Sequence, residues 1–347
     1  MVAFMCGSTT PCGSGMTGSF SVFISIVLSP RNPLPGSGYF DVQGFYPLPE
    51  SRKLVAMLAG VDLGGTQVRV ALARTDGRIT GIAKTPTAAV GGPQGMAEWV
   101  AAQVDHLRGR AKVRRVAIGS PGPLDAVHGK LVNPANLPGW EGAPLAALVA
   151  RATGAPTLLQ HDAKLAALAE YHRGAGRGSR HLVYITWSTG IGGGVVIDGQ
   201  LFSGAHGSAG EVGHTIIDPD GPLDACGQRG CLEVFAGGNN LARQTGEPAA
   251  QLFEAAESGD AEALAIVRRA ATYMGVGLIN VTNLFDPDVI VVGGGISRSW
   301  KLVGPQLEAA LRGSPFIGAA RRPALRRARL GDKVGLVGAV EWARANL

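Results

Sequence analysis

The feature that most constrains the fold is a pattern written twice. Residues 58–62 form a short apolar run, and Gly64-Gly65-Thr66 then makes a turn. Residues 67–73 alternate, with Val68, Val70 and Leu72 on one face, and Asp76-Gly77 leads into a further run over 78–83. The same order recurs far downstream. An apolar, β-branched run over 182–187 precedes Ser188-Thr189-Gly190-Ile191-Gly192-Gly193-Gly194, then a strand over 195–197 and Asp198-Gly199. Alternation bounded by glycine turns reads as strand, and Asp-Gly reads as a hairpin turn. Each half of the chain therefore opens on strand, Gly-rich turn, strand, hairpin, strand. That implies an α/β chain with two related halves.

Glycine lets backbone N–H groups approach an oxyanion closely, and a threonine hydroxyl adds a donor. Two such turns, one in each half, can hold the phosphates of one nucleotide from both sides. Asp62 leads the first turn. A Walker A loop is absent, because no Gly-Lys-Ser/Thr follows a suitable glycine. A dinucleotide fingerprint fits poorly as well, since Gly64-Gly65 runs into strand rather than helix. A third cluster supports a nucleotide. A helix over 260–284 is stopped by Pro287, a strand over 288–292 follows, and Gly293-Gly294-Gly295 opens toward another helix. Backbone there can lie flat against an adenine or a ribose.

Acid–base candidates lie between the turns. A strand over 113–118 is followed by the polar loop 133–140, which carries Asn136 and Trp140. A short strand over 157–159 delivers Gln160-His161-Asp162 to a helix over 163–172. Asp162 is then at a helix N-terminus, where it either caps the helix or serves as a general base in its ionised form. Downstream stand Glu211 and His214, then Asp224, Cys226, Cys231 and Glu233. One histidine, two cysteines and one aspartate, with tight glycine turns among them, suit a tetrahedral zinc site.

With these motifs, the chain from about Met57 to its C-terminus resembles the ROK family, which comprises sugar kinases and sugar-responsive repressors. Asp62 to Thr66 looks like the family's first phosphate loop, Ser188 to Gly194 like its second, and Gly293 to Gly295 like its adenosine turn. Residues 336–343 look like its closing helix. The resemblance implies an actin-like ATPase (ribonuclease H-like) fold, with two α/β domains around a cleft. The small domain would span 57–164, completed by a helix over 334–347, and the large domain 165–333. It implies a glucokinase-type activity in which Asp162 takes the proton of a hexose 6-hydroxyl as that oxygen attacks the γ-phosphate of ATP. Asp62 would help place Mg2+ through water. Asn136, His161, Asp162, Glu211, His214 and Glu233 would bind the sugar. ATP would rest on Gly64, Gly65, Thr66, Ser188, Thr189, Gly190, Gly192 and Gly293 to Gly295. A structural Zn2+ would sit on His214, Asp224, Cys226 and Cys231.

Three positions depart from the family pattern. His161 and Lys164 stand where asparagines are usual, and Asp224 stands where a cysteine is usual. A bulkier His161 could make the preferred epimer differ from glucose, and kinases of N-acetylmannosamine, N-acetylglucosamine or fructose, which share the same motifs, stay as alternatives. Lys164 either brings its charge near Asp162 and weakens the base, or, the plainer expectation, points to solvent. Asp224 would leave a harder, weaker zinc site.

Composition bounds the rest. The chain has 347 residues and a net charge of +6, too mild to suggest nucleic acid as a partner. No run reaches the roughly 18 apolar residues that span a bilayer. Four cysteines are too few for a disulfide framework. Residues 1–56 are rich in Gly, Ser, Thr and Pro, with one apolar run over 20–28. No Lys or Arg precedes Arg31, so the positive region of a secretory signal is missing. No capped apolar helix period there supports the DNA-reading helices that a repressor needs. The segment is expected to be disordered or a spurious upstream translation, and the chain to be cytoplasmic. Five arginines over 321–329 are expected to line a solvated surface turn at Pro323. A homodimer or homotetramer is expected from the resemblance, and polyphosphate stays open as an alternative donor.

Overall fold

The computed structural model describes residues 55–134 and 136–347. The expected N-terminal extension lies outside the described residues except at its last two positions, and Ala56 already opens the first strand.

Two five-stranded sheets repeat one plan. The first half runs β1 (Ala56–Leu63), β2 (Gln67–Arg74), β3 (Ile79–Pro86), α1 (Pro93–Arg108) and β4 (Lys112–Ser120). A small hairpin, β5 (Leu124–Asp125) and β6 (Lys130–Leu131), precedes α2 (Leu145–Thr153) and β7 (Thr157–His161). The strand order is β3-β2-β1-β4-β7, antiparallel among the first three strands and parallel after them. Helix α3 (Asp162–Arg173) leads to the second half. There β8 (Leu182–Trp187), β9 (Ile191–Ile197) and β10 (Gln200–Phe202) are followed by α4 (Leu232–Ala236), α5 (Gly238–Thr245), α6 (Ala249–Glu257) and α7 (Ala261–Phe285). Then come β11 (Val289–Gly293), α8 (Trp300–Gly313), β12 (Ala324–Arg327) and α9 (Val334–Ala345). The order β10-β9-β8-β11-β12, with the same pairing senses, matches the first sheet. The repeated sequence pattern is thus a repeated topology.

Each sheet has an apolar core of its own. Val61, Val70, Met96, Val100 and Leu145 are buried together in the first, and Ile185, Val267, Met274, Val292 and Leu307 in the second. Helix α9 returns to the first sheet, packing on β1 and β4 and along α3. Its approach is set by glycine: a β-carbon on Gly60 would lie 2.8 Å from the Val340 side chain, and one on Gly338 would lie 2.1 Å from the Leu165 carbonyl. Fully buried Glu341 ties the pair, accepting from Arg173 Nε and Arg344 Nε at 2.6 Å each. The expected boundary between 164 and 165 falls inside α3, which packs against α9 and against β9.

Two expectations are corrected here. The second glycine turn was expected to run through Gly194, but β9 begins at Ile191, so the turn is residues 188–190. The reason is packing. A β-carbon on Gly192 would lie 3.2 Å from the Ala163 side chain, and one on Gly194 would lie 2.8 Å from that of Ala167. These glycines admit α3 onto the strand. The arginine stretch is not only a turn either. Residues 324–327 pair with β11 as the edge strand β12, and Arg326 donates to the Ala175 carbonyl at 2.7 Å. Among the described residues, no helix is long and apolar enough to cross a membrane.

Candidate active site

Asp162 is the first residue of α3, delivered by β7 and followed by eight buried positions. The N-cap is His161 rather than Asp162. The Asp162 side chain is 45% exposed, so it can meet a ligand. Its Oδ1 accepts from the Ala163 N–H at 2.6 Å and lies 2.9 Å from His161 Nδ1. Burial would lower the pKa of His161, but the hydrogen bond and charge of Asp162 outweigh it, and the ring holds its proton above the ordinary histidine range. The ring is seated on Gly122, where a β-carbon would lie 2.9 Å from Nε2.

Other sugar candidates come from the second half. Glu211 precedes a 3-10 turn over Val212–His214, and its charge acts on His161 and on Lys164. Glu233 starts on α4 and accepts from the Ile191 N–H at 2.5 Å, which fixes it under the Gly190 turn. Burial raises its pKa. Asn136 is exposed, and its carbonyl is 2.6 Å from where a Gly65 β-carbon would be. Lys164 corrects the expectation of a solvent-facing side chain. It is fully buried, and Nζ donates to the Gly207 carbonyl. Alternation alone could not reveal this, because a lysine in a helix is ordinarily on its wet face.

The phosphate turns differ from one another. In the first, the Gly64 N–H is closed onto the Gln67 carbonyl at 2.9 Å. Gly65 and Thr66 are left at the exposed tip. Asp62, just before, accepts from Arg69 Nε at 2.8 Å and from its Nη2. Burial raises the Asp62 pKa against the opposing Arg69 charge, and the Asp162 charge adds to the rise. Arg69 was not singled out from the sequence; its position seven residues on, paired across β1 and β2, is the signal that could have found it. In the second turn, Thr189 is exposed, and Ser188 faces Gly295.

A cavity of about 500 Å³ opens beside this turn, lined by Ser188, Thr189, Asn239, Phe253, Gly295 and Arg298 among others. That volume suits a nucleoside. Gly294, at φ 84, passes over the Trp187 backbone, where a β-carbon would be 2.4 Å from its carbonyl. Gly293 ends β11 against the Tyr184 ring. Asn239 was missed from the sequence. The doublet Gly237-Gly238 marks it, since a Gly238 β-carbon would be 2.6 Å from the Ser188 carbonyl.

The cysteine loop forms a cluster. One ligand atom from each of His214, Asp224, Cys226 and Cys231 lies within 4.8 Å of the others. His214 Nδ1 is 3.4 Å from Asp224 Oδ2, and the two sulfurs are 3.5 Å apart. His214 Nδ1 and both Asp224 oxygens are buried without a hydrogen-bond partner. Burial, then the Cys226 thiol, pushes the Cys231 thiol up to about 12. Orphaned buried acceptors beside thiols are what a thiophilic cation would satisfy, so the residues fit zinc.

Against this geometry, the model of the ROK family matches residues 58–346. A glucokinase of Thermotoga maritima is 35% identical over 272 residues, 72% of this chain and 86% of the relative. An N-acetylmannosamine kinase of Salmonella paratyphi B is 36% identical over 291 residues, 82% of this chain and 98% of the relative. A ROK family glucokinase from Streptomyces griseus, solved in complex with glucose and AMPPNP, is 34% identical with a TM-score of 0.68, covering 83% of this chain and 99% of that one. The twin sheets have the actin-like ATPase fold, and the chain belongs to the ROK family.

Proposed function

We propose that the protein is an ATP-dependent hexose kinase of the glucokinase type, transferring the γ-phosphate of ATP to the 6-hydroxyl of glucose. The observation that carries this is Asp162, a half-exposed carboxylate at a helix start, close enough to Asp62 of the first phosphate turn for their charges to interact. Asp162 accepts the 6-hydroxyl proton as the oxygen attacks the γ-phosphorus, and ADP leaves with the broken P–O electrons. The remaining work is positioning and charge stabilisation. Asn136, His161, Glu211, His214 and Glu233 bind the hydroxyls. The amides of Gly65, Thr66 and Thr189 hold the phosphates, and Asp62, its carboxylate steadied by Arg69, would help place Mg2+. The nucleoside occupies the cavity between Ser188, Asn239 and Gly295.

His214, Asp224, Cys226 and Cys231 would hold a structural zinc, which would lend rigidity to the loop that carries His214. With Nδ1 turned into that cluster, the opposite edge of the His214 ring is left for a sugar hydroxyl. Soluble turnover in the cytoplasm and a homodimer or homotetramer accompany this reading.

The relation to an N-acetylmannosamine kinase, together with the His161 ring, supports a second reading in which the acceptor is another hexose. A panel of glucose, N-acetylmannosamine, N-acetylglucosamine and fructose, with ATP or polyphosphate and ADP release measured, separates the two. Glucose is expected to give the highest kcat/KM. Asp162→Asn is expected to bind glucose and lose about 10²–10⁴ in kcat. Binding without turnover in the unaltered chain would instead make it a sugar sensor.

A further inference from the structure

The buried lysine on α3 has no role in the phosphoryl transfer described above. Lys164 is fully buried, and its ammonium is bonded to the Gly207 carbonyl. Two residues beyond Asp162 is about 200° around a helix, so the two side chains leave α3 on opposite faces. The route is lined with glycine. A β-carbon on Gly194 would lie 2.9 Å from Lys164 Cα, and one on Gly193 would lie 2.5 Å from the Gly210 carbonyl. A side chain at Gly194 would push α3 off β9, and one at Gly193 would push the 203–210 loop off it.

That loop has little of its own to hold it. It is closed by the Ala209 N–H to the Ser203 carbonyl at 3.0 Å and by the Val212 N–H to the Gly210 carbonyl at 2.8 Å. The residue that follows it is Glu211. Burial lowers the Lys164 pKa, and the Glu211 carboxylate opposes that shift. An ammonium placed in a core costs several kcal/mol unless it is paired, and an apolar side chain would fill the space without that cost.

We propose that Lys164 is a positioning residue, whose ammonium clamps the 203–210 loop to the catalytic helix and so presents Glu211 to the sugar. This rests on the hexose-kinase reading. Asp162 and Glu211, which belong to different halves of the chain, are thereby held in fixed relation through one side chain.

The test is a double-mutant cycle on the full chain with Lys164→Met and Glu211→Gln. Lys164→Met is expected to raise the KM for glucose about ten- to a hundredfold, the range for losing a hydrogen bond to a charged group. The KM for ATP is expected to stay unchanged and kcat to fall much less. The double variant is expected to be no worse than Glu211→Gln alone, since coupled residues are not additive. An unchanged glucose KM in Lys164→Met, or effects that multiply in the cycle, would overturn the proposal. If Lys164→Met does not fold, amide exchange of the unaltered protein decides. Protection of the Ala209 amide comparable to that of α3, without sugar, supports the clamp, and exchange at the rate of a free peptide refutes it. Failure of the unaltered chain to phosphorylate any hexose would sink the kinase reading instead.

Discussion

His161 is where a single side chain sets a measurable pH dependence. Its folded pKa is raised by the bond to Asp162 in spite of burial. A raised histidine contributes its stability in full below the unfolded value of about 6.5, and that contribution is lost as pH rises through the folded value. The protonated ring ties up Oδ1 of Asp162, the oxygen that would receive the sugar proton, and frees it once the ring is neutral. The kcat profile is therefore expected to rise through a step above about pH 6.5, and the step is expected to vanish in His161→Asn. A profile that keeps the step in that variant would assign it to another group. The identity of Asp162 as the candidate base was legible from a short strand feeding a helix. The fate of Lys164, one helical half-turn on, was not, because burial depends on glycines in β9 that lie far away in sequence.

Among elements, the cysteine loop is the most informative. The spacing of His214, Asp224, Cys226 and Cys231 in the sequence suggested a zinc site, and the fold gathers the four ligands. A carboxylate oxygen is a harder ligand than a thiolate for this cation. Asp224→Cys is expected to slow zinc loss to a chelator, and Asp224→Ala to hasten it, followed by elemental analysis of the dialysed protein. Stripping the metal is expected to raise the KM for glucose more than that for ATP, because the loop holds His214 and adjoins Glu233, while none of its four metal candidates lines the cavity proposed for the nucleoside. The strands and their hairpins were readable from alternation and Asp-Gly pairs. The limit of the second glycine turn was not. Glycine in sequence does not distinguish a backbone that turns from one that accepts a helix upon it, and at Gly192 and Gly194 the second use prevails.

For the whole molecule, α3 is the member that packs against elements of both halves. Its N-terminus carries Asp162, its middle packs on β9 and α9, and its end carries Glu170 and Arg173. Glu170 is fully buried and accepts from the N–H groups of Ala175 at 2.6 Å and of Arg329 and Leu330 at 2.9 Å. One carboxylate thus ties the helix end to the chain leading into α9. Glu170→Ala strands three backbone donors, and is expected to cost about 3–5 kcal/mol, read from urea unfolding. A loss below about 1 kcal/mol, less than a typical point substitution costs, would mean that water replaces the carboxylate. The twofold architecture itself was written in the sequence as a repeated motif order. The long-range ties at Glu170 and Glu341 had no local signature, because their partners are distant in the chain.

The tip of the first glycine turn rests on the 133–140 loop, with no room for a side chain between Gly65 and the Asn136 carbonyl. With Gly65 on the phosphates and Asn136 on the sugar, as proposed above, donor and acceptor share a wall. Whatever one substrate does to that wall, the other inherits: if glucose tightens the grip on nucleotide by some factor, nucleotide must tighten the grip on glucose by the same factor. Synergy of this kind would let the enzyme idle in ATP without squandering it on water.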